Sequence, residues 1–178
     1  MAQYTEKLLI TGRPGIGKTT LLKRLALRLA DLKPSGFYTE EIRQEGIRKG
    51  FILKRLDGSL RGILAHLDIQ SPYRVGKYGV DIKGLEKFLL EIETEIFHSR
   101  IILIDEIGKM ECYSERFRSL VKDLLSSDRV FIATIALKGS GFMEGIKRAE
   151  GITVIELNEH NRDSIVSEIE EMIRGFLD

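Results

Sequence analysis

The chain has 178 residues, 43% of them hydrophobic and 31% charged, which is enough for one core of ordinary size. Its 28 Lys and Arg nearly cancel 27 Asp and Glu, so net charge gives no argument for nucleic acid or a membrane surface as partner. A lone cysteine, Cys112, excludes an internal disulfide framework, no apolar run reaches membrane-spanning length, and "MAQYTEKLLITG" has no signal-peptide core, so we expect a cytoplasmic protein.

Charge is spread unevenly. Residues 1–89 carry 17 Lys and Arg against 9 Asp and Glu, and residues 90–178 carry 11 against 18. If both halves share one sheet, these charges simply neighbour each other. His66, His98 and His160 stand too far apart for metal-ligand spacing.

The first element is the short apolar run "EKLLIT" (Glu6–Thr11), which reads as a buried strand. It runs straight into "GRPGIGKT" (Gly12–Thr19), which fits G-x-x-x-x-G-K-[ST] in full. The chemistry explains each fixed position. Glycines at 12, 15 and 17 let the backbone curl so that its N–H groups face anionic oxygens. A helix starting near Lys18 turns its positive dipole end to the same point. Lys18 can reach the β- and γ-phosphates, and the Thr19 hydroxyl is a hard oxygen ligand suited to Mg²⁺. We therefore assign phosphate binding to Gly12, Arg13, Pro14, Gly15, Ile16, Gly17, Lys18, Thr19 and Thr20.

The helix carries Leu21, Leu22, Leu25, Leu29 and Leu32 at helical spacing until "KPSG" stops it. Next come three β-type runs, "GFYTEEIR", "IRKGFILKRL" and "SLRGILAHL", separated by "QEG" and by Asp57–Gly58. Asp-Gly between such runs is a hairpin signal, so a small antiparallel section is expected here. "VGKYGV" (Val75–Val80) is a glycine-punctuated loop or short strand, and the helix after it places Leu85, Phe88, Leu89, Ile92 and Ile96 on one face.

"RIILIDE" (Arg100–Glu106) has four consecutive aliphatics, the mark of a central parallel strand covered on both faces. It ends in two acids. Asp105 is placed to hold the Mg²⁺ shell, and Glu106 to orient and deprotonate an attacking water. "DEIG" also fits the D-x-x-G of GTP-binding switches, but the N-K-x-D segment that usually reads guanine does not occur in the chain.

"YSERFRSLVKDLL" is a further helix and "RVFIATI" a further buried strand, ending near Thr134. If that strand lies between the two phosphate-site strands, Thr134 sits near the γ-phosphate and can position water. "GITVIEL" and a last helix follow, with Ile165, Ile169, Met172, Ile173 and Phe176 on its apolar side and Asn158 or Asn161 as candidate N-cap. Arg116, Arg118, Arg129 and Arg162 are candidates to stabilise transition-state charge, and spacing does not choose among them. The whole, residues 1–178, reads as one α/β domain with a mainly parallel sheet, helices on both faces and right-handed crossovers.

With "GFYTEEIR", "VGKYGV", "IDEIGKME" and "NRD" beside the phosphate loop, the chain resembles the small nucleoside-triphosphatase family of thermophilic prokaryotes, whose vertebrate relatives are called cancer-related nucleoside-triphosphatase. The resemblance runs from Lys7 to the last helix. It implies a RecA-like P-loop fold and Mg²⁺-dependent release of phosphate from ATP, GTP, CTP and UTP with little base preference. It also implies phosphate binding by Gly12–Thr20, a metal shell that includes Asp105, catalysis by Glu106, and a place for Lys109 beside the active site.

Two other readings compete with an NTP hydrolase that works as a monomer. A small-molecule or nucleoside kinase suits the size, with "ERFR" as an arginine pair over the phosphates, but it gains nothing from a water-activating Glu106. A nucleic-acid-linked ATPase is suggested by the basic first half, but the chain has no basic-aromatic stripe to track a strand.

Overall fold

The computed structural model describes residues 6–139 and 141–177. Nine strands form one continuous sheet in the order β5-β6-β4-β3-β2-β7-β8-β1-β9. The strands are β1 (Lys7–Thr11), β2 (Ser35–Gln44), β3 (Ile47–Arg55), β4 (Arg61–His66), β5 (Arg74–Val75), β6 (Tyr78–Val80), β7 (Ile101–Ile107), β8 (Val130–Ile135) and β9 (Thr153–Glu156). The helices are α1 (Lys18–Arg28), α2 (Ile82–His98), α3 (Glu115–Ser126), α4 (Phe142–Lys147) and α5 (Ile165–Leu177).

The run β2-β7-β8-β1-β9 is parallel throughout. Its central strands bury every side chain of β1 and β8, so their sequences are apolar without alternation. Odd and even residues sort to opposite faces. Leu8, Ile10, Leu103 and Ile132 pack with Leu21, Leu22 and Leu25 of α1 and with Ile165, Ile169 and Ile173 of α5. Leu9, Ile102, Ile104 and Phe131 pack with α2, α3 and α4 on the other face. Each such fully buried aliphatic contributes about 1.5–3 kcal/mol relative to exposure, and this two-sided burial holds the strand ends that carry the polar site.

The antiparallel section is a four-strand continuation of the same sheet, so it is larger than a single hairpin. The "QEG" turn has Glu45 and Gly46 both at positive φ, the requirement of a tight hairpin between twisted strands. Only Ser35–Phe37 of β2 pair with β7. From Tyr38 onward β2 pairs with β3 alone, so the hairpin continues past the parallel sheet and forms a wall above its carboxyl edge. Gly36 makes the crossover from one regime to the other. Its φ is +135°, and a Cβ there would lie 1.8 Å from the Leu103 carbonyl oxygen.

One detail differs from the sequence reading, and one agrees with it. Asn158 accepts from the amides of His160 and Asn161, and Asn161 from the amide of Asn158. The pair therefore closes the turn before α5, several residues short of the helix start. The uneven charge is partly neutralised by ion pairs that join the two halves of the chain, Arg13 with Glu159, Arg28 with Glu170 and Arg55 with Glu95.

Candidate active site

The loop between β1 and α1 has Gly12, Gly15 and Gly17 at φ of 151°, 78° and 111°. A Cβ at Gly12 would also lie 2.7 Å from the Leu157 carbonyl oxygen, so only glycine fits between this loop and the segment after β9. Ile16 is buried in the α1/α5 core and pins the loop from below. The Lys18 ammonium turns back on the loop and donates to the carbonyls of Gly12 (2.8 Å) and Arg13 (3.3 Å).

In the sheet, β8 lies between β1 and β7. The β7–β8 register shifts between Ile104 and Ile107, and the peptide bond between Asp105 and Glu106 is cis. Asp105, only 2% exposed, gathers three threonines. Thr19 Oγ1 donates to its Oδ2 at 2.8 Å, and Thr134 Oγ1 to its Oδ1 at 2.5 Å. The Thr39 hydroxyl donates to the Asp105 carbonyl at 2.9 Å, and the Thr39 amide donates to Oδ2 at 3.4 Å. Burial pushes the Asp105 carboxyl above its ordinary range, opposed by the hydrogen bonds from Thr134 and Thr19.

Burial also pushes Glu106 up, followed by the charge of Asp105, with Lys18 opposing. Among the described residues no hydrogen bond or ion pair engages its carboxylate. Both acids open on a cleft of about 830 Å³ whose floor is the glycine loop and whose far wall is the β2–β3 hairpin. A carboxylate with raised proton affinity, unengaged and next to a phosphate-binding loop, can accept a proton from water.

The family model described as NTPase matches residues 7–170. The chain belongs to the NTPase family. Among its relatives, the nucleoside-triphosphatase THEP1 of Thermotoga petrophila is 49% identical, with 92% of this chain and 90% of that one covered. The protein of the same name from Thermotoga maritima is 46% identical, with coverage of 94% and 95%. In three dimensions the chain is similar to the crystal structure of THEP1 from Aquifex aeolicus, with a TM-score of 0.84, 35% identity and coverage of 94% and 98%. It is also similar to the solution structure of a human cancer-related nucleoside triphosphatase, with a TM-score of 0.79, 32% identity and coverage of 95% and 97%. These likenesses agree with the P-loop α/β fold expected from the motifs.

The structure brings most of the expected site of this family member together. Gly12, Pro14, Gly15, Gly17, Lys18, Thr19, Thr20, Asp105 and Glu106 line one cleft. Arg13 and Ile16 face a smaller recess on the other side of the loop, beside Asn158 and Glu159. Thr134 is fully buried and commits its hydroxyl to Asp105. Lys109 is exposed on the turn after β7 and does not line the cleft.

None of the four candidate arginines lines the cleft either. Arg116 pairs with Glu93, Arg118 donates to the Cys112 carbonyl, and Arg129 donates to the carbonyls of Phe97 and Ser99. Arg162 is exposed in the loop before α5.

Sequence reasoning missed three groups. Thr39 completes the Asp105 shell from the middle of a strand. Arg48 lines the cleft from β3. Glu111 is a fully buried carboxyl in the turn after β7, pushed up to about 8 by burial and then by the charge of Glu106. "DEIGKME" contained Glu111, but nothing in that spacing says that an acid in a turn is buried.

Proposed function

We propose that this nucleoside-triphosphatase hydrolyses the terminal phosphoanhydride bond of ATP, GTP, CTP and UTP with little base preference, in a Mg²⁺-dependent reaction. The observation that carries the reading is the unengaged Glu106 carboxylate, one residue beyond Asp105 and in the same cleft as Lys18. The residues present fit the cation. Thr19 Oγ1 and Asp105 Oδ2 are hard oxygens 2.8 Å apart, and Mg²⁺ takes one or two protein oxygens plus phosphate oxygens and water. No cluster of three or more His, Cys, Asp or Glu among the described residues offers a rival metal site. When bound, Mg²⁺ neutralises charge developing on the phosphate oxygens.

The chain's own groups do the rest. The backbone N–H groups of the Gly12–Thr19 loop, Pro14 excepted, hold the phosphates, and Lys18 exchanges the carbonyls of Gly12 and Arg13 for phosphate oxygens. Glu106 orients a water and takes one of its protons as the water oxygen bonds to the γ-phosphorus. The bond between that phosphorus and the β–γ bridging oxygen breaks, leaving nucleoside diphosphate and inorganic phosphate, and the proton passes to solvent. Asp105, gripped by Thr19 and Thr134, keeps the metal-side carboxylate fixed while this happens.

Glu106→Gln tests the reading. It keeps size and hydrogen bonding but cannot accept the proton. Removing a positioned base forfeits about 10²–10⁴ in rate, at most about 5.5 kcal/mol of barrier, while Mg²⁺–ATP affinity stays within a few-fold because the loop makes the phosphate contacts. Wild-type kcat/KM across the four nucleotides is expected to span less than about tenfold, or about 1.4 kcal/mol, and to vanish in excess chelator. A near wild-type rate in Glu106→Gln overturns the water-activating role and makes transfer to another acceptor the reading to pursue.

A further inference from the structure

The hairpin wall supplies a cation that no sequence pattern pointed to. Arg48, on β3, lines the same cleft as Lys18, Thr19, Asp105 and Glu106. Its guanidinium is held by two neighbours. Its Nη2 lies 2.5 Å from Glu41 Oε1, and its central carbon Cζ lies 5.5 Å from the centre of the Phe51 ring. Glu41 is not dependent on it. Arg43 takes the other carboxylate oxygen, Oε2, through both Nε (2.7 Å) and Nη2 (2.6 Å).

We infer that Arg48 is a catalytic residue of the phosphoryl transfer, a built-in arginine that leaves Glu41 for the γ-phosphate and stabilises the charge developing on it. The inference rests on the hydrolase reading above and adds to it the group that neutralises the transition state. Three observations carry it.

The first is charge balance. Asp105, Glu106, Glu40 and Glu41 all line the cleft, and besides Arg48 only Lys18 and the exposed Lys138 bring positive charge to its described lining, against a polyanionic substrate. Transfer of a γ-phosphoryl group is catalysed largely by cations placed around its oxygens. Lys23 and Lys54 are both held by Glu40. The second observation is elimination: Arg116, Arg118, Arg129 and Arg162 all lie away from the cleft, so the remaining guanidinium able to reach the phosphates from its lining is that of Arg48.

The third is the ease of exchange. The Arg48 and Glu41 side chains are 42% and 33% exposed, and a pair that open is worth at most about 1 kcal/mol. A bidentate, charge-assisted contact between guanidinium and phosphate is stronger, and Glu41 keeps Arg43 as its partner after Arg48 departs. The Phe51 ring, which also lines the cleft, gives the guanidinium a cation–π neighbour beside it.

The test is steady-state kinetics with Mg²⁺–ATP on wild type, Arg48→Ala and Arg48→Lys, together with binding of ADP–aluminium fluoride as a transition-state mimic. Thermal melts establish that each variant is folded. Arg48→Ala is expected to lose about 10²–10³ in kcat, with KM changed less than about fivefold and the affinity for ADP–aluminium fluoride weakened by the same factor as kcat. Mg²⁺–ADP affinity stays at the wild-type value. Arg48→Lys recovers only part of the loss, because the ammonium supplies charge without the fork. A kcat within threefold of wild type in folded Arg48→Ala overturns the proposal, as does a loss confined to KM, which would make Arg48 a ground-state contact only. Those outcomes leave wild-type hydrolysis intact. Absence of hydrolysis by the wild type itself would overturn the hydrolase reading, and the Arg48 assignment with it.

Discussion

Thr134→Val removes one hydroxyl from the centre of the sheet and nothing else of consequence, since valine has nearly the same shape. In the structure that hydroxyl donates to Asp105 Oδ1 at 2.5 Å, with the threonine fully buried and Asp105 2% exposed. Water cannot replace the lost donor at such a position. A hydrogen bond to a charged group contributes about 1.5–3 kcal/mol. Here the cost falls on the ionised, correctly aimed carboxylate, the form that takes a cation. The half-saturating Mg²⁺ concentration is therefore expected to rise by at least about tenfold, with a ceiling near about 150-fold if the whole energy is felt at the metal. The assay is ATP hydrolysis against Mg²⁺ at fixed nucleotide, beside Thr134→Ser, which retains the hydroxyl and stays close to wild type. A folded Thr134→Val with wild-type Mg²⁺ dependence would refute the claim that Thr134 works through Asp105. If its kcat fell at saturating Mg²⁺ instead, Thr134 would be positioning the water directly.

Lys18→Ala removes the ammonium that now sits on the Gly12 and Arg13 carbonyls; turnover is expected to fall at least about 10²-fold and nucleotide binding to weaken strongly, as read by calorimetry. Gly36→Ala forces a methyl to 1.8 Å from the Leu103 carbonyl oxygen at φ +135°, so backbone strain and overpacking together should cost about 2–6 kcal/mol and lower Tm. Glu111 binds its proton up to a pH of about 8 when folded but only to about the ordinary carboxylate value when unfolded. The folded state thus holds more protons between those limits, and stability falls as pH rises through that window and levels off above it. Glu111→Gln removes the slope, so its Tm should exceed that of wild type at pH 8.5 and converge with it near pH 4.5; parallel Tm curves would contradict this.

The legible part of the molecule was the part written in local pattern. "IILIDE" and "FIATI" are apolar without alternation because β7 and β8 are covered on both faces, and the glycine loop carries its chemistry in fixed positions. Thr134 was readable only conditionally, since its role depended on which strand neighbours β1. Helix α4 escaped notice. It has six residues and buries only Met143 and Ile146, too little for a period to register. The cleft wall escaped for a different reason. Arg48 lines the cleft because β2 and β3 continue beyond β7, with a register shift between Ile42 and Arg43, and no feature of "IRKGF" reports what another segment leaves uncovered. The four candidate arginines failed in the same way, each absorbed by a local carboxylate, a carbonyl or solvent.

Strand order explains why threonines crowd around Asp105. Adjacent strands lie about 4.8 Å apart, so placing β8 between β1 and β7 sets the phosphate-loop strand about 9.6 Å from the strand that carries the acids. Thr19 spans that gap because it sits in the first turn of α1, beyond the end of β1, and its hydroxyl reaches Asp105 at 2.8 Å. The middle strand must then present something that fills the space without displacing the carboxylate and still satisfies it. A large apolar side chain at 134 would block Asp105, and alanine would leave a buried oxygen without its donor. A β-branched hydroxyl meets both demands, suits the strand, and fixes the carboxylate's orientation. From the other side Thr39 does the same to the Asp105 carbonyl, which ties the catalytic strand end to the start of the hairpin that carries Arg48. The hairpin and the loop are therefore linked through one buried aspartate, so disturbing Asp105 should be felt on both walls of the cleft.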